Sequence, residues 1–209
     1  MIENTTEQPK KKYYDYISVG NRTKQEVYFV EQHDKHQMFE LFIQKNLNKK
    51  IVVITKSKNK ADELASFLRT KAILTTTIHG NHRKEQIEKA KIAFNEGEEK
   101  LLITTETIFF SLELQNIEMI INYDLPFHVE NYFKTLRYVD EVGESISFVS
   151  YEDEKTLDII EIMMKYSIPQ IEIEEFEHTP LPKRVKKDKV KKARHKKGKK
   201  KAPKTQEAE

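Results

Sequence analysis

The densest run of chemically active side chains is the last stretch of the chain, Lys183 to Glu209, with 14 lysines and arginines against 3 acidic residues. Lys186, Lys187, Lys191, Lys192, Arg194, Lys196 and Lys197 form its centre. With a glycine, a proline and no aromatic residue, such a run cannot build a core. It reads as a disordered polycation that releases counterions on meeting phosphate, so its binding weakens steeply with salt. A solubility tail or an anionic-membrane contact is the plainer alternative, and the lack of an apolar face argues against the membrane. His79 and His82, with Glu85, offer metal-ligating atom types but lack a third ligand at helical spacing, so no metal site is expected. The chain has no cysteine, which removes disulfides, thiol catalysis and cysteine-ligated metals.

The remainder of the 209-residue chain holds 23 basic and 31 acidic residues, so the tail and not the body is the cation, and the two have the charges to fold together in the absence of a ligand. A 37% hydrophobic content supports one core with appendages. No apolar run approaches the roughly 18 residues that span a bilayer, and the first residues lack the apolar segment of a signal peptide. A cytoplasmic protein without membrane contact is expected.

The elements that would position any site centre on Lys100 to Pro126. Leu101-Leu102-Ile103 and Met119-Ile120-Ile121 are uninterrupted apolar runs, as in strands covered on both faces, with a polar-aromatic connection, Thr104 to Glu118, between them. Loops leaving the carboxyl ends of such strands are where ligands sit. Further strands are predicted at Glu26–Val30, Lys50–Thr55, Ala72–Ile78 and Ser145–Val149. Helices are predicted at His33–Asn46, around Ala61, Leu64, Ala65 and Leu68, and at His82–Asn95, His128–Tyr138 and Glu152–Tyr166, from apolar residues at helical spacing. The alternation predicts an α/β fold, a doubly wound, mostly parallel sheet with helices on both faces. The organisation read from the chain is an extended lead-in over 1–24, a folded domain over 25–167, an extended acidic and proline-containing segment over 168–182, and the basic tail over 183–209. Phe109 and Phe110 are expected in the core, with stacking on a base or a partner as the alternative.

Taken in order, Ile51 to Thr55, Ala61-x-x-Leu64-Ala65, Ile78-His79-Gly80-Asn81, Phe94-x-x-Gly97, Leu102 to Glu106 and Ile121-Asn122-Tyr123-Asp124-Leu125-Pro126 resemble the second, C-terminal RecA-like domain of DEAD-box RNA helicases. The similarity is closest to the bacterial RhlE type, through Pro169-x-Ile171-x-Ile173 ahead of a basic tail. The resemblance implies that Lys56, Ser57, Gly80, Asn81, Thr104 and Thr105 grip the sugar-phosphate backbone of RNA, a mode independent of sequence. Ser57 as a helix cap, Gly80 as a turn and Thr105 as ordinary loop are the plainer readings. The resemblance also puts Glu113 and Arg137 at degenerate nucleotide-contact positions.

The departures from that family matter as much. No Gly-x-x-x-x-Gly-Lys and no Asp-Glu-Ala-Asp occurs in the sequence. Lys84 and Ile87 stand where the family has Gln and Arg, Phe110 and Ser111 where it has Arg and Gly, and Glu141 where its last arginine falls. An arginine on a transferring phosphoryl group is worth about 10³ to 10⁵ in rate. The expectation is therefore an RNA-binding domain that is inactive alone, without catalytic residues or a cofactor of its own. ATP and Mg²⁺ enter only if a separately encoded first RecA-like domain supplies the P-loop, which would make the chain half of a split RNA-stimulated ATPase. The third reading is a non-enzymatic adaptor for a protein, with the ribosome as one candidate.

Overall fold

The computed structural model describes residues 16–139 and 143–180. Along the chain lie α1 (Tyr16–Arg22), β1 (Lys24–Phe29), α2 (Lys35–Gln44), β2 (Ile51–Thr55), α3 (Lys58–Thr70), β3 (Thr76–Ile78) and α4 (Lys84–Glu96). They are followed by β4 (Leu101–Thr105), α5 (Glu106–Phe109), β5 (Met119–Asn122), α6 (Val129–Leu136), β6 (Glu144–Val149) and α7 (Glu154–Met164). The six strands form one sheet in the order β1-β6-β5-β2-β4-β3, and every pairing is parallel. The basic tail and the first 15 residues lie outside the described residues.

Alternation along each strand sends successive side chains to opposite faces, and helices cover both. Ile51 and Val53 join Leu64 and Leu68 of α3 and Phe39 and Ile43 of α2 in one core. Val52 and Ile54 meet Ala90 and Phe94 of α4 and Phe109 of α5 on the other side. Further along that side, Val27 and Val149 pack with Phe133 and Leu136 of α6 and Ile160 and Met164 of α7. β2, β4 and β5 are buried along their whole length, which explains their uninterrupted apolar runs.

Three expectations need correction. The lead-in to β1 does not stay extended, because residues 16–22 form α1, which packs on α7 so closely that a Cβ on Gly20 would lie 2.6 Å from Met164 Sδ. The third strand is confined to Thr76–Ile78, because Ala72 takes a left-handed φ of 57° and the Ile73 amide donates to Leu68 O, so that 71–73 close α3. The connection thought to begin at Thr104 begins two residues later, since Thr104 and Thr105 complete β4. Ile87 of α4 is half-buried against the core.

Beyond α7 the segment through Thr179 follows the edge of the sheet. Val27 N–H donates to Pro169 O and Ile171 N–H to Val27 O, both at 2.9 Å, making one parallel bridge beside β1. Ile173 and Phe176 rest on the core beneath. Exposed backbone groups at a sheet edge invite further pairing, and this segment occupies β1's outer edge there.

Candidate nucleic-acid groove and its ionic support

The carboxyl ends of β2, β3 and β4 lie side by side, and the residues that follow them enclose a groove of about 540 Å³. Its lining includes Lys56, Ser57, Lys58, Gly80, Thr105 and Thr107. Ser57 is the N-cap of α3, in extended conformation, and its Oγ accepts from Lys60 N–H at 3.2 Å. The positive end of that 13-residue helix therefore opens on the groove. Lys58 Nζ donates to Asn81 Oδ1 at 2.7 Å and ties the β2 and β3 loops together. At Gly80 an added Cβ would meet only the end of Lys58, at 3.5 Å, so the missing side chain leaves backbone open to approach.

Four of the residues singled out from the sequence thus converge: Lys56, Ser57, Gly80 and Thr105 line the groove, and Asn81 braces it through Lys58. Thr104 does not, because it is fully buried inside β4. Glu113 and Arg137 do not line it either: Glu113, at φ 50°, pairs with Lys91 of α4 at 3.3 Å, and Arg137 closes α6. Glu141 and the tail lysines and arginine, Lys186 to Lys197, lie outside the described residues. Phe109 is core, whereas Phe110 is half-buried near Tyr138 and Lys134. His79 is buried with Nε2 3.0 Å from Asp62 Oδ1, and its ring lies 4.3 Å from that of His82. No cluster of three or more metal-ligating side chains occurs among the described residues.

Beneath the groove lies a feature that sequence patterning does not mark. Lys35, at the start of α2, is 0% exposed and places Nζ 3.2 Å from Asp124 Oδ1 and 3.8 Å from Asp153 Oδ2. Asp124 also accepts from Lys60 Nζ at 2.7 Å and from Lys56 N–H at 3.2 Å. Asp153 pairs with Lys56 Nζ and accepts from Ser150 Oγ at 3.2 Å. Five charges from the ends of β2, β5 and β6 and from two helices are so joined, and the loop that carries Lys56 is anchored at both its amide and its side chain. Burial alone would raise the Asp124 carboxyl, but Lys35, Lys60 and the Lys56 amide hold it below the ordinary aspartate value. Nearby, burial raises the Glu106 carboxyl against the opposing hydrogen bond from Asn131.

No described helix is long and apolar enough to cross a membrane. Residues 34–137 match the family model of the helicase conserved C-terminal domain. ATP-dependent RNA helicase vasa of Drosophila melanogaster is 31% identical over 148 residues, 68% of this chain and 22% of its own length. A DEAD box protein from the hyperthermophile Methanococcus jannaschii superposes with a TM-score of 0.67 at 25% identity, over 74% of this chain and 43% of its own. Dbp5 of S. cerevisiae, bound to RNA and ADP BeF3, superposes at 0.63 with 19% identity, over 75% of this chain and 42% of its own, a likeness of fold. The matched part thus spans less than half of each of these proteins. The parallel strand order and the matched residues agree: the folded body of this chain is a C-terminal RecA-like helicase domain of the DEAD-box class.

Proposed function

We propose that this chain binds the sugar-phosphate backbone of RNA through the groove at the ends of β2, β3 and β4, with the tail beyond residue 182 adding affinity that is independent of sequence. What carries the reading is the convergence of Lys56, Ser57, Gly80 and Thr105 on one groove. Two lysines, three hydroxyls, an open backbone and a helix N-terminus match an anionic, ribose-bearing strand. The names of the related proteins support the same ligand, vasa being an RNA helicase and Dbp5 having been captured on RNA. Phe110, Ser111 and Glu141 in place of family arginines and glycine, and the lack of a P-loop in these 209 residues, support a domain without ATP turnover of its own. RhlE-like proteins remain the proposed nearest kin through Pro169-x-Ile171-x-Ile173.

One observation favours a second reading, in which the chain works as half of an RNA-stimulated ATPase. Vasa, to which the chain is similar, is an ATP-dependent RNA helicase, and a P-loop domain supplied by another polypeptide would complete the nucleotide site. The test has two parts. Fluorescence anisotropy with single-stranded RNA across a salt series should show a steep salt slope that flattens when residues 183–209 are removed, and a several-fold loss on Lys58→Glu that is largest at low salt and narrows as salt rises. Phosphate release from Mg-ATP with RNA should stay at background for the chain alone. Turnover near helicase rates, or RNA affinity indifferent to Lys58→Glu, refutes the proposal.

A further inference from the structure

The loop that follows β5 buries most of what it carries: Tyr123, Asp124 and Leu125 are all inside. Phe127, two residues on, is the reverse, with 75% of its surface exposed. Lys56 Nζ lies 5.3 Å from the centre of its ring, within cation-π range. The same Lys56 lines the groove, so the ring stands one side chain away from the proposed RNA backbone site. Lys56 is not loose, since its ammonium is held by Asp153 and its amide by Asp124. Of the five charges in that network three are lysines and two are carboxylates, and the two that reach the surface, Lys56 and Lys60, are both cations.

An exposed aromatic face beside a fixed ammonium, next to a groove lined by lysines and hydroxyls, suits a flat, electron-rich ring carried on a polyanion. We propose that Phe127 is a stacking site for an unpaired base of the RNA strand whose backbone occupies the groove, with Lys56 placed between ring and phosphate; the proposal rests on the RNA-binding reading above. Stacking of this kind tolerates any base, because every base has a π-face, and it adds affinity without sequence readout. It also makes the site prefer single strands, since a paired base cannot turn onto the ring.

The test uses the full chain and two probes, a short single-stranded oligoadenylate and an abasic ribose-phosphate oligomer of equal length, at a salt concentration that screens the tail. Phe127→Ala should weaken oligoadenylate binding about five- to hundredfold and leave the abasic oligomer unaffected. Phe127→Trp should retain oligoadenylate binding, and Lys58→Glu, in the groove, should weaken both probes. Ultraviolet cross-linking of the native protein to oligoadenylate should label the peptide containing Phe127. If Phe127→Ala alters the two probes equally or not at all, or if cross-links form only elsewhere, the stacking site is overturned and the ring belongs to a protein contact, while a retained Lys58→Glu effect leaves the groove reading intact. If Lys58→Glu changes neither probe, the groove reading falls and takes the stacking site with it.

Discussion

Replacing Asp124 with asparagine is expected to cost far more than replacing Lys35 with methionine, although the two face each other in one ion pair. Asp124 receives three donors, from Lys35, Lys60 and the Lys56 amide. Without its charge, the fully buried Lys35 keeps only Asp153, 3.8 Å away and already engaged by Lys56 and Ser150. An uncompensated buried charge costs about 3–5 kcal/mol, a large part of the roughly 5–15 kcal/mol that holds a domain together. Lys35→Met strands nothing comparable: Asp124 keeps Lys60 and an amide, Asp153 keeps Lys56 and Ser150, and an unbranched apolar chain fills the space of the lysine stem. Its cost should be about 1–2 kcal/mol. The chain has no tryptophan, so urea unfolding is best followed by far-ultraviolet circular dichroism, with free energies extrapolated linearly to water. The pH dependence carries a sign. The folded Asp124 is held below the ordinary carboxylate value, so its contribution is complete above the unfolded value of about 3.9 and is lost as pH falls through the lower folded value. The gap between the native protein and Asp124→Asn should therefore be full at neutral pH and shrink only in strong acid. Equal costs for the two variants, or an Asp124→Asn penalty below about 1 kcal/mol, would refute the claim that this network is dry and interdependent.

Other expectations follow from single contacts. Ser57→Ala removes the α3 cap and should lower stability by about 0.5–2 kcal/mol in the same assay, weakening RNA binding as the groove wall loosens. Gly97 ends α4 at φ 82°, and Gly97→Ala should cost about 1–2 kcal/mol although nothing lies near its Cβ; a neutral result would mean that the turn relaxes. His36, half-buried against Phe67 and 3.1 Å from the Tyr123 hydroxyl, is pushed below the ordinary histidine value by burial. As pH falls below about 6.5 the unfolded chain takes up a proton that the folded chain resists, so stability falls. His36→Gln should narrow the drop in unfolding midpoint between neutral and mildly acidic pH, and an unchanged drop would assign that acid sensitivity elsewhere.

How far the fold could be read from the sequence depended on whether an element's signal is local. Leu101-Leu102-Ile103 and Met119-Ile120-Ile121 announce doubly covered strands because burial on both faces leaves no polar position, and strand ends located in this way also locate Lys56, Ser57, Gly80 and Thr105. The misreadings arise where the deciding partner is remote or the element too short. The helix at 16–22 is held by Met164 of α7, and a four-residue helix such as α5 has no period to detect. Ile73 and Leu74 look like strand in a β-branched neighbourhood, yet Ile73 caps α3 through Leu68 and Leu74 is 89% exposed.

The ionic network lies beyond any such reading, for a reason that bears on function. Its members are 35, 56, 60, 124 and 153, so only the folded sheet brings them together, and each alone has the residue type of a solvated surface. Lys35 in particular sits at the start of an amphipathic helix, where a lysine is ordinarily exposed, and the fold instead buries it completely. A groove that grips a flexible polyanion gains affinity when its cations are already fixed, because less side-chain entropy is then lost on binding. Lys56 is fixed in this sense from both ends, so disrupting Asp153 or Asp124 should loosen RNA contact even though neither carboxylate reaches the groove. Asp153→Asn, which frees Lys56 while leaving Lys35 its contact with Asp124, separates the two effects: RNA affinity should fall by a larger factor than the loss of stability accounts for at a temperature where the variant stays folded.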